Sequence, residues 1–190
     1  MRKICFLGYS KKKTKLISYL RKKKFKVTEY NNKLLTKNIA QKYDLIISFG
    51  YKKIIKKKIL DNLKRPIVNL HISYLPFNRG SHPNYWSFVE NTPKGVSIHE
   101  IDEKIDSPNI ILRKKVFFKK SDKLTFFGTY KILIKKIENL FIKNFDNIIK
   151  KKYIIKKLNL KGTFHYKKNL PKNFKNWNQV INEYLKNQLK

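Results

Sequence analysis

The sequence predicts an α/β protein built on a mostly parallel sheet flanked by helices. Three observations carry this reading. Apolar runs of strand length alternate with lysine-rich amphipathic stretches from residue 3 to residue 72. Those runs end on glycine or on polar residues. After residue 95 the rhythm changes, and two apolar runs follow one another with no full helix between them. Alternation of the first kind argues for parallel strands joined by right-handed crossovers. Adjacent strands without a helix argue for an antiparallel pair.

Taken in order, residues 3–9 (KICFLGY) read as a buried strand, and Ser10 is a candidate N-cap for a helix over 11–24. Residues 25–30 give a second strand, Asn31 and Asn32 a turn, and a weak helix runs on to residue 42. Residues 44–49 (DLIISF) form a continuous apolar strand that stops at Gly50. A lysine-rich amphipathic helix is expected over 54–63. Arg65-Pro66 restarts the chain, and 67–72 is the next strand. A loop then covers 74–80, a helix 84–90, and strands 96–101 and 109–118. Residues 124–152 read as one long helix, because Ile132, Leu133, Ile137, Leu140, Phe141, Phe145, Ile148 and Ile149 recur at spacings of three and four. A short segment at 162–166 and a terminal helix over 177–189 complete the chain. No repeat or Gly/Ser linker interrupts it, so 1–153 is expected to form the main unit, with 154–190 as an extension packed on it.

The chain has 190 residues, 41% of them hydrophobic, enough for one domain with a sizeable core. Its single cysteine, Cys5, lies inside the first apolar run and has no partner for a disulfide, which suits a reducing compartment and a core role. The first ten residues lack the apolar core of a signal peptide. No run reaches the roughly 18 apolar residues of a membrane span. A cytoplasmic protein without membrane contact is the expectation.

The formal charge of +34 ordinarily points to nucleic acid. Here only five of the 46 basic residues are arginine (Arg2, Arg21, Arg65, Arg79 and Arg113), and the lysines are spread along the whole chain among many Asn and Ile. All three residue types have codons made of A and T alone, so base composition accounts for the surplus. Specific recognition of phosphates and bases favours arginine forks. No specific nucleic-acid partner is expected. The first loop, Gly8-Tyr9-Ser10-Lys11, lacks the glycine spacing of a dinucleotide or triphosphate cradle. The four histidines (His71, His82, His99 and His165) show no metal-ligand spacing, so no metal is expected.

Against this background, residues 69–106 stand out. They carry Asn69-Leu70-His71-Ile72-Ser73-Tyr74-Leu75-Pro76, then Arg79-Gly80, Pro83-Asn84-Tyr85-Trp86, Gly95-Val96-Ser97-Ile98-His99, and Ile105-Asp106-Ser107. Asn69 and His71 lie two apart on a strand, so both side chains share one face. An amide, an imidazole and a carboxylate are the equipment for moving an acyl group onto an amine. Asn69 can donate to the carbonyl oxygen as it gains charge, His71 can donate to it or shuttle a proton, and Asp106 can accept the amine proton or hold the charge state of His71. Taken singly, Asn-x-His at a strand end reads as a turn cap, Asp106 as a turn residue, His99 as a satisfied core histidine and Trp86 as core.

The ordered combination resembles the folate-dependent formyltransferases, most of all the short sugar N-formyltransferases. Asn69, His71, Ser73, Leu75-Pro76, Arg79-Gly80, Pro83, Gly95-Val96-Ser97-Ile98-His99, Asp102 and Ile105-Asp106-Ser107 stand where that family's pattern has them. The resemblance implies a Rossmann-like fold and 10-formyltetrahydrofolate as donor, with Asn69, His71 and Asp106 as the catalytic trio. It places the pterin among Gly50, Ser73, Tyr74, Leu75, Pro76, Arg79, Gly80 and Asp102, much of it against backbone groups. One departure is Pro108, where the family usually has glycine. Proline removes an N–H and fixes φ, which points to a shifted path for the loop carrying Asp106.

The resemblance also bears on the acceptor. About 75 residues after Phe118 leave no room for the C-terminal barrel of the tRNA-formylating members, and the first loop is too poor in glycine for a glycinamide-ribotide enzyme. The expected acceptor is an amino sugar, nucleotide-linked, with Tyr9, Trp86 and His165 as candidate contacts and a homodimer as a possible assembly. The alternatives are another small amine such as glycinamide ribotide, or a non-catalytic basic binding protein on the same scaffold.

Overall fold

The computed structural model describes residues 2–31, 33–61, 63–102, 109–119, 123–158, 160–174 and 176–188. The elements run β1 (Lys3–Gly8), α1 (Leu16–Lys22), β2 (Lys26–Tyr30), α2 (Lys37–Ala40), β3 (Leu45–Phe49), α3 (Lys57–Leu60) and β4 (Val68–His71). After these come β5 (Arg79–Gly80), α4 (Pro83–Val89), β6 (Gly95–Glu100), β7 (Asn109–Lys115), α5 (Phe126–Ile149), β8 (Phe164–His165) and α6 (Ile181–Gln188). The main sheet has six strands in the order β2-β1-β3-β4-β6-β7. Its first four are parallel, and β6 and β7 are antiparallel to their neighbours. This is the mostly parallel sheet with an antiparallel pair that the apolar rhythm predicts.

Side-chain alternation sorts the sheet into two faces. Ile4, Phe6, Leu45, Ile47, Phe49, Val68, Leu70, Val96 and Ile98 pack with α1 and α5 in one core. Cys5, Leu7 and Ile46 point the other way, into a smaller core with Leu35, Ala40, Ile59 and Ile67. Burial pushes the Cys5 thiol up to about 12, so it is a core residue with no thiolate near neutrality. The second face is apolar over β1 and β3. Over β4 and β6 it carries Asn69, His71, Ser97 and His99 instead. The candidate site lies on that polar half.

Several elements differ from the sequence reading. The helix expected from residue 11 begins at Leu16, because Ser10 closes a turn, its carbonyl accepting from the N–H groups of Lys13 and Thr14. Thr14 Oγ1 accepts from Leu16 N at 3.2 Å and donates to Glu138 of α5 at 2.6 Å. The helix expected over 54–63 shrinks to α3. Ile54 finds no core there and remains 87% exposed. The long helix keeps its stripe, with Leu133, Ile137, Phe141, Phe145, Ile148 and Ile149 buried and Leu140 packed at the edge, but Ile132 faces out. It starts one residue after Thr125, whose Oγ1 accepts from Gly128 N at 3.0 Å as an N-cap. The terminal helix starts at Ile181, since Trp177 stacks on His82 instead.

Residues beyond 153 return to the body at several points. Lys156 forms a bridge with Ile110 in β7. β8 pairs with β5, a two-strand ladder hidden within the stretch expected to be loop. Phe174, Ile181 and Tyr184 pack with Tyr85 and Phe126 in a third cluster. Among the described residues, no helix is long and apolar enough to cross a membrane.

Candidate active site

β4 places Asn69 and His71 side by side on the polar face, as the period-two spacing predicts. In the antiparallel pairing with β6, Asn69 lies opposite His99 and His71 opposite Ser97. All four side chains therefore project from one patch two strands wide. Asn69 Nδ2 is 2.9 Å from His99 Nε2. The two imidazoles meet edge to face, with ring centroids 6.4 Å apart.

His71 Nε2 lies 3.2 Å from the main-chain oxygen of Asn78. A carbonyl can only accept, so Nε2 carries the proton of the neutral ring and Nδ1 holds the lone pair. No described residue hydrogen-bonds to that Nδ1. Desolvation lowers the pKa of His71, partly offset by the Asn78 carbonyl, which favours the charged ring. Near neutrality the ring is a free base.

The loop after β4 is held at several points. Ser97 Oγ donates to Ser73 O at 2.8 Å and accepts from Leu75 N at 3.1 Å. Arg113 of β7 donates to Leu75 O at 2.8 Å and lies over the Tyr74 ring, 4.4 Å from its centroid. Ser73 is 2% exposed, yet its Oγ has no hydrogen-bond partner among the described residues. A buried hydroxyl without a partner costs free energy, and beside a polar patch it is a ready contact for a polar ligand.

Asn78 closes the loop and is completely buried at φ +54°, a left-handed conformation that asparagine tolerates. Its N–H donates to Thr163 Oγ1 at 2.8 Å, its Oδ1 accepts from Thr92 at 2.6 Å, and its Nδ2 donates to Glu90 at 3.1 Å. Glu90 in turn lies 2.9 Å from Nε2 of His165. Trp86 stacks on His165 with centroids 4.0 Å apart and planes 9° apart. These two candidate contacts thus cover one face of each other, and Glu90 links His165 to Asn78. Arg79 and Gly80 form β5 and pair with Phe164 and His165.

Tyr9 and Gly50 lie together at the ends of β1 and β3. Gly50 has φ +68°, and a Cβ there would come within 2.3 Å of the Tyr9 ring. Only glycine fits both demands. Tyr9 packs edge-on against Phe49, and its hydroxyl is 2.9 Å from that of Tyr130 in α5. Asp102 is described just past β6. Asp106 and Pro108, with the loop path expected from that proline, lie outside the described residues. No group of His, Cys, Asp and Glu suited to a metal occurs among the described residues.

Sequence reasoning missed three parts of this arrangement. His99 reads as a core histidine in sequence but bonds to Asn69. Thr163 and Glu90 hold Asn78 from distant points of the chain. Arg113 clamps the Tyr74 loop. The Gly-Val-Ser-Ile-His run carried a signal for the first, since His99 and Ser97 share a strand face; nothing local marked the others.

A parallel α/β sheet with an antiparallel extension, and an amide and an imidazole side by side on its polar face, define a class of group-transfer proteins. Residues 2–127 match the formyl transferase family model, and the chain belongs to that family. It is 30% identical over 130 residues to the dTDP-4-amino-4,6-dideoxyglucose formyltransferase of Mycobacterium tuberculosis, a match covering 68% of this chain and 54% of that protein. The chain thus spans about half the length of that relative. It also matches the methionyl-tRNA formyltransferase of Bacillus subtilis, at 33% identity over 107 residues, 56% of this chain and 32% of that one. Among solved structures, the formyltransferase PseJ of Anoxybacillus kamchatkensis superposes with a TM-score of 0.86 at 36% identity, covering 95% of this chain and 96% of that one. PseJ was crystallised with UDP-4,6-dideoxy-4-formamido-L-AltNAc and tetrahydrofolate.

Proposed function

We propose that this protein transfers a formyl group from 10-formyltetrahydrofolate to the amine of a nucleotide-linked amino sugar. The observation that carries the reading is the shared strand face of Asn69 and His71, with the Nδ1 lone pair of His71 left uncommitted among the described residues. The similarity to PseJ over nearly the whole of both chains supports the same substrate class.

The residues present fit a reduced folate. Ser73 offers an orphaned hydroxyl, Asn69 has a second Nδ2–H that no described residue engages, and the clamped 73–76 loop presents fixed backbone beside them. The folate supplies a formyl carbon on a nitrogen leaving group; the amine nitrogen bonds to that carbon as the bond to the folate nitrogen breaks. Asn69 would donate its second Nδ2–H to the formyl oxygen as negative charge grows there. His71 would take the amine proton at Nδ1 and return one to the departing nitrogen. Its ring remains hydrogen-bonded to Asn78 O throughout, and that carbonyl stabilises the imidazolium. Asp106 is assigned to hold this charge, on the sequence pattern alone.

For the acceptor, Lys11, Lys12 and Lys13 are exposed on the turn after β1, at the edge where the parallel strands end. The turn is braced by Tyr9 N to Phe49 O at 2.8 Å and by Lys11 N to Glu29 at 3.0 Å. Three cations on a fixed backbone suit a diphosphate. The test is a panel of nucleotide-linked amino sugars, glycinamide ribotide and charged tRNA with 10-formyltetrahydrofolate, read by mass for the gain of one CO. Formylation confined to glycinamide ribotide or tRNA would reject the sugar assignment, and no formylation of any amine would reject the transfer.

A further inference from the structure

We propose that His99 is a positioning residue for Asn69, locking its amide so that an Nδ2–H, and not Oδ1, faces the reacting carbonyl. The inference rests on the formyl-transfer reading above for its consequence, though not for its geometry.

Both nitrogens of the His99 ring are engaged. Nδ1 lies 2.9 Å from Glu100 O, and Nε2 lies 2.9 Å from Asn69 Nδ2. Glu100 O has no hydrogen to give, so Nδ1 carries the ring proton. Nε2 is then a lone pair, and only the Nδ2 end of Asn69 can face it. Turning the amide round would set Oδ1 against that lone pair, two acceptors at hydrogen-bond distance. The reversed amide is tolerable only beside an imidazolium. Burial and the neighbouring His71 ring oppose that charge and lower the His99 pKa to about 4, so the ring stays neutral at physiological pH.

The backbone aims the ring. Asn69 and His99 are directly opposed across the β4–β6 ladder, and the pairing of β6 with β7 shifts register between Ile98 and His99. Such an irregularity re-aims the side chain beside it. Tyr153 donates to Glu100 Oε1 at 2.8 Å, anchoring the residue whose carbonyl selects the tautomer. Among the described residues, Asn69 is left with one committed N–H and one unengaged N–H. Without His99 the amide can rotate, and it presents an acceptor to the growing oxyanion part of the time.

The test uses the full chain. His99→Phe keeps a ring and removes the acceptor, while His99→Gln restores an acceptor near the Nε2 position. The expected result is a fall in kcat of about tenfold or more for His99→Phe, with the KM for the folate little changed, and recovery of most of that loss in His99→Gln. In an Asn69→Ala background, His99→Phe should add less than about twofold, because residues acting as a unit are not additive. Equal losses in both backgrounds, or no recovery in a folded His99→Gln protein, overturn the proposal. Long-range ¹H–¹⁵N spectra of histidine-labelled protein, which has four histidines, read the tautomer without turnover. A His99 pattern with the proton on Nδ1 is expected, and a proton on Nε2 overturns the proposal even if the wild type is active. Wild-type protein that formylates no amine sinks the transfer reading, while the spectra still decide the orientation of the Asn69–His99 pair.

Discussion

The main-chain oxygen of Asn78 reaches Nε2 of His71 at 3.2 Å, from a residue that is itself completely buried with φ at +54°. Four polar groups from three segments hold that one residue. Asn78→Gly preserves the left-handed backbone and strips the side-chain bonds to Thr92 and Glu90. It is expected to cost about 1–3 kcal/mol by urea unfolding, the usual effect of leaving buried partners unpaired. It should lower kcat more than it raises KM. Asn78→Ala should be worse, since alanine adds backbone strain at positive φ.

Asn69→Ala and His71→Ala are each expected to lower kcat by about a hundredfold or more while leaving the circular dichroism spectrum intact. Both side chains lie on the polar half of their face, outside the apolar clusters, so the fold does not depend on them. Wild-type turnover in His71→Ala would remove the imidazole from the reaction.

Stability should decline on mild acidification. The pKa values of His71 and His99 are lowered in the folded state by burial, that of His99 to about 4. Between roughly pH 6.5, where an unfolded histidine titrates, and pH 4, the unfolded chain binds protons that the folded chain excludes. The stabilisation is therefore full above about 6.5, is lost as pH falls toward 4, and levels off below. For His99 this is on the order of 3 kcal/mol, from about 1.4 kcal/mol per pKa unit. Urea midpoints measured across this range should fall for wild type, and less steeply for His99→Gln. Equal slopes would show that His99 titrates normally.

Glu138 of α5 is 6% exposed and accepts from Thr14 Oγ1 at 2.6 Å and from Lys15 N at 3.1 Å. Thr14→Val removes the hydroxyl at nearly constant volume and leaves a buried carboxylate short of a donor. A loss of about 1–3 kcal/mol in unfolding free energy is expected. Because the same bond braces the turn after β1, the KM for the acceptor should rise as well.

Replacing Lys11, Lys12 and Lys13 together by alanine is expected to raise the KM for a nucleotide-linked acceptor several-fold and to flatten its salt dependence, leaving the KM for the folate unchanged. Exposed charges act over about 10 Å at moderate ionic strength. An unchanged acceptor KM would place the diphosphate elsewhere.

Much of this was readable along the chain. Strand-length apolar runs such as DLIISF announce themselves because a parallel strand is buried on both faces. The pairing of Asn69 with His71 on one face followed from spacing alone. Other features were not local. Helix 54–63 looked amphipathic, but no core awaited Ile54. Residues 79–80 read as loop because their partner strand lies some 85 positions later, and a two-residue strand has no periodicity of its own.

The chain alone determined the order of the main-sheet strands along its length, the family pattern and the strand face on which the amide and imidazole sit, because these depend on side-chain period and short spacings. Tertiary structure decided which nitrogen of His71 and of His99 carries the proton. That choice is made by the carbonyls of Asn78 and Glu100 and by the register of β4 against β6. A hydrogen bond depends on where two atoms meet in space, and no spacing along a strand specifies its partner.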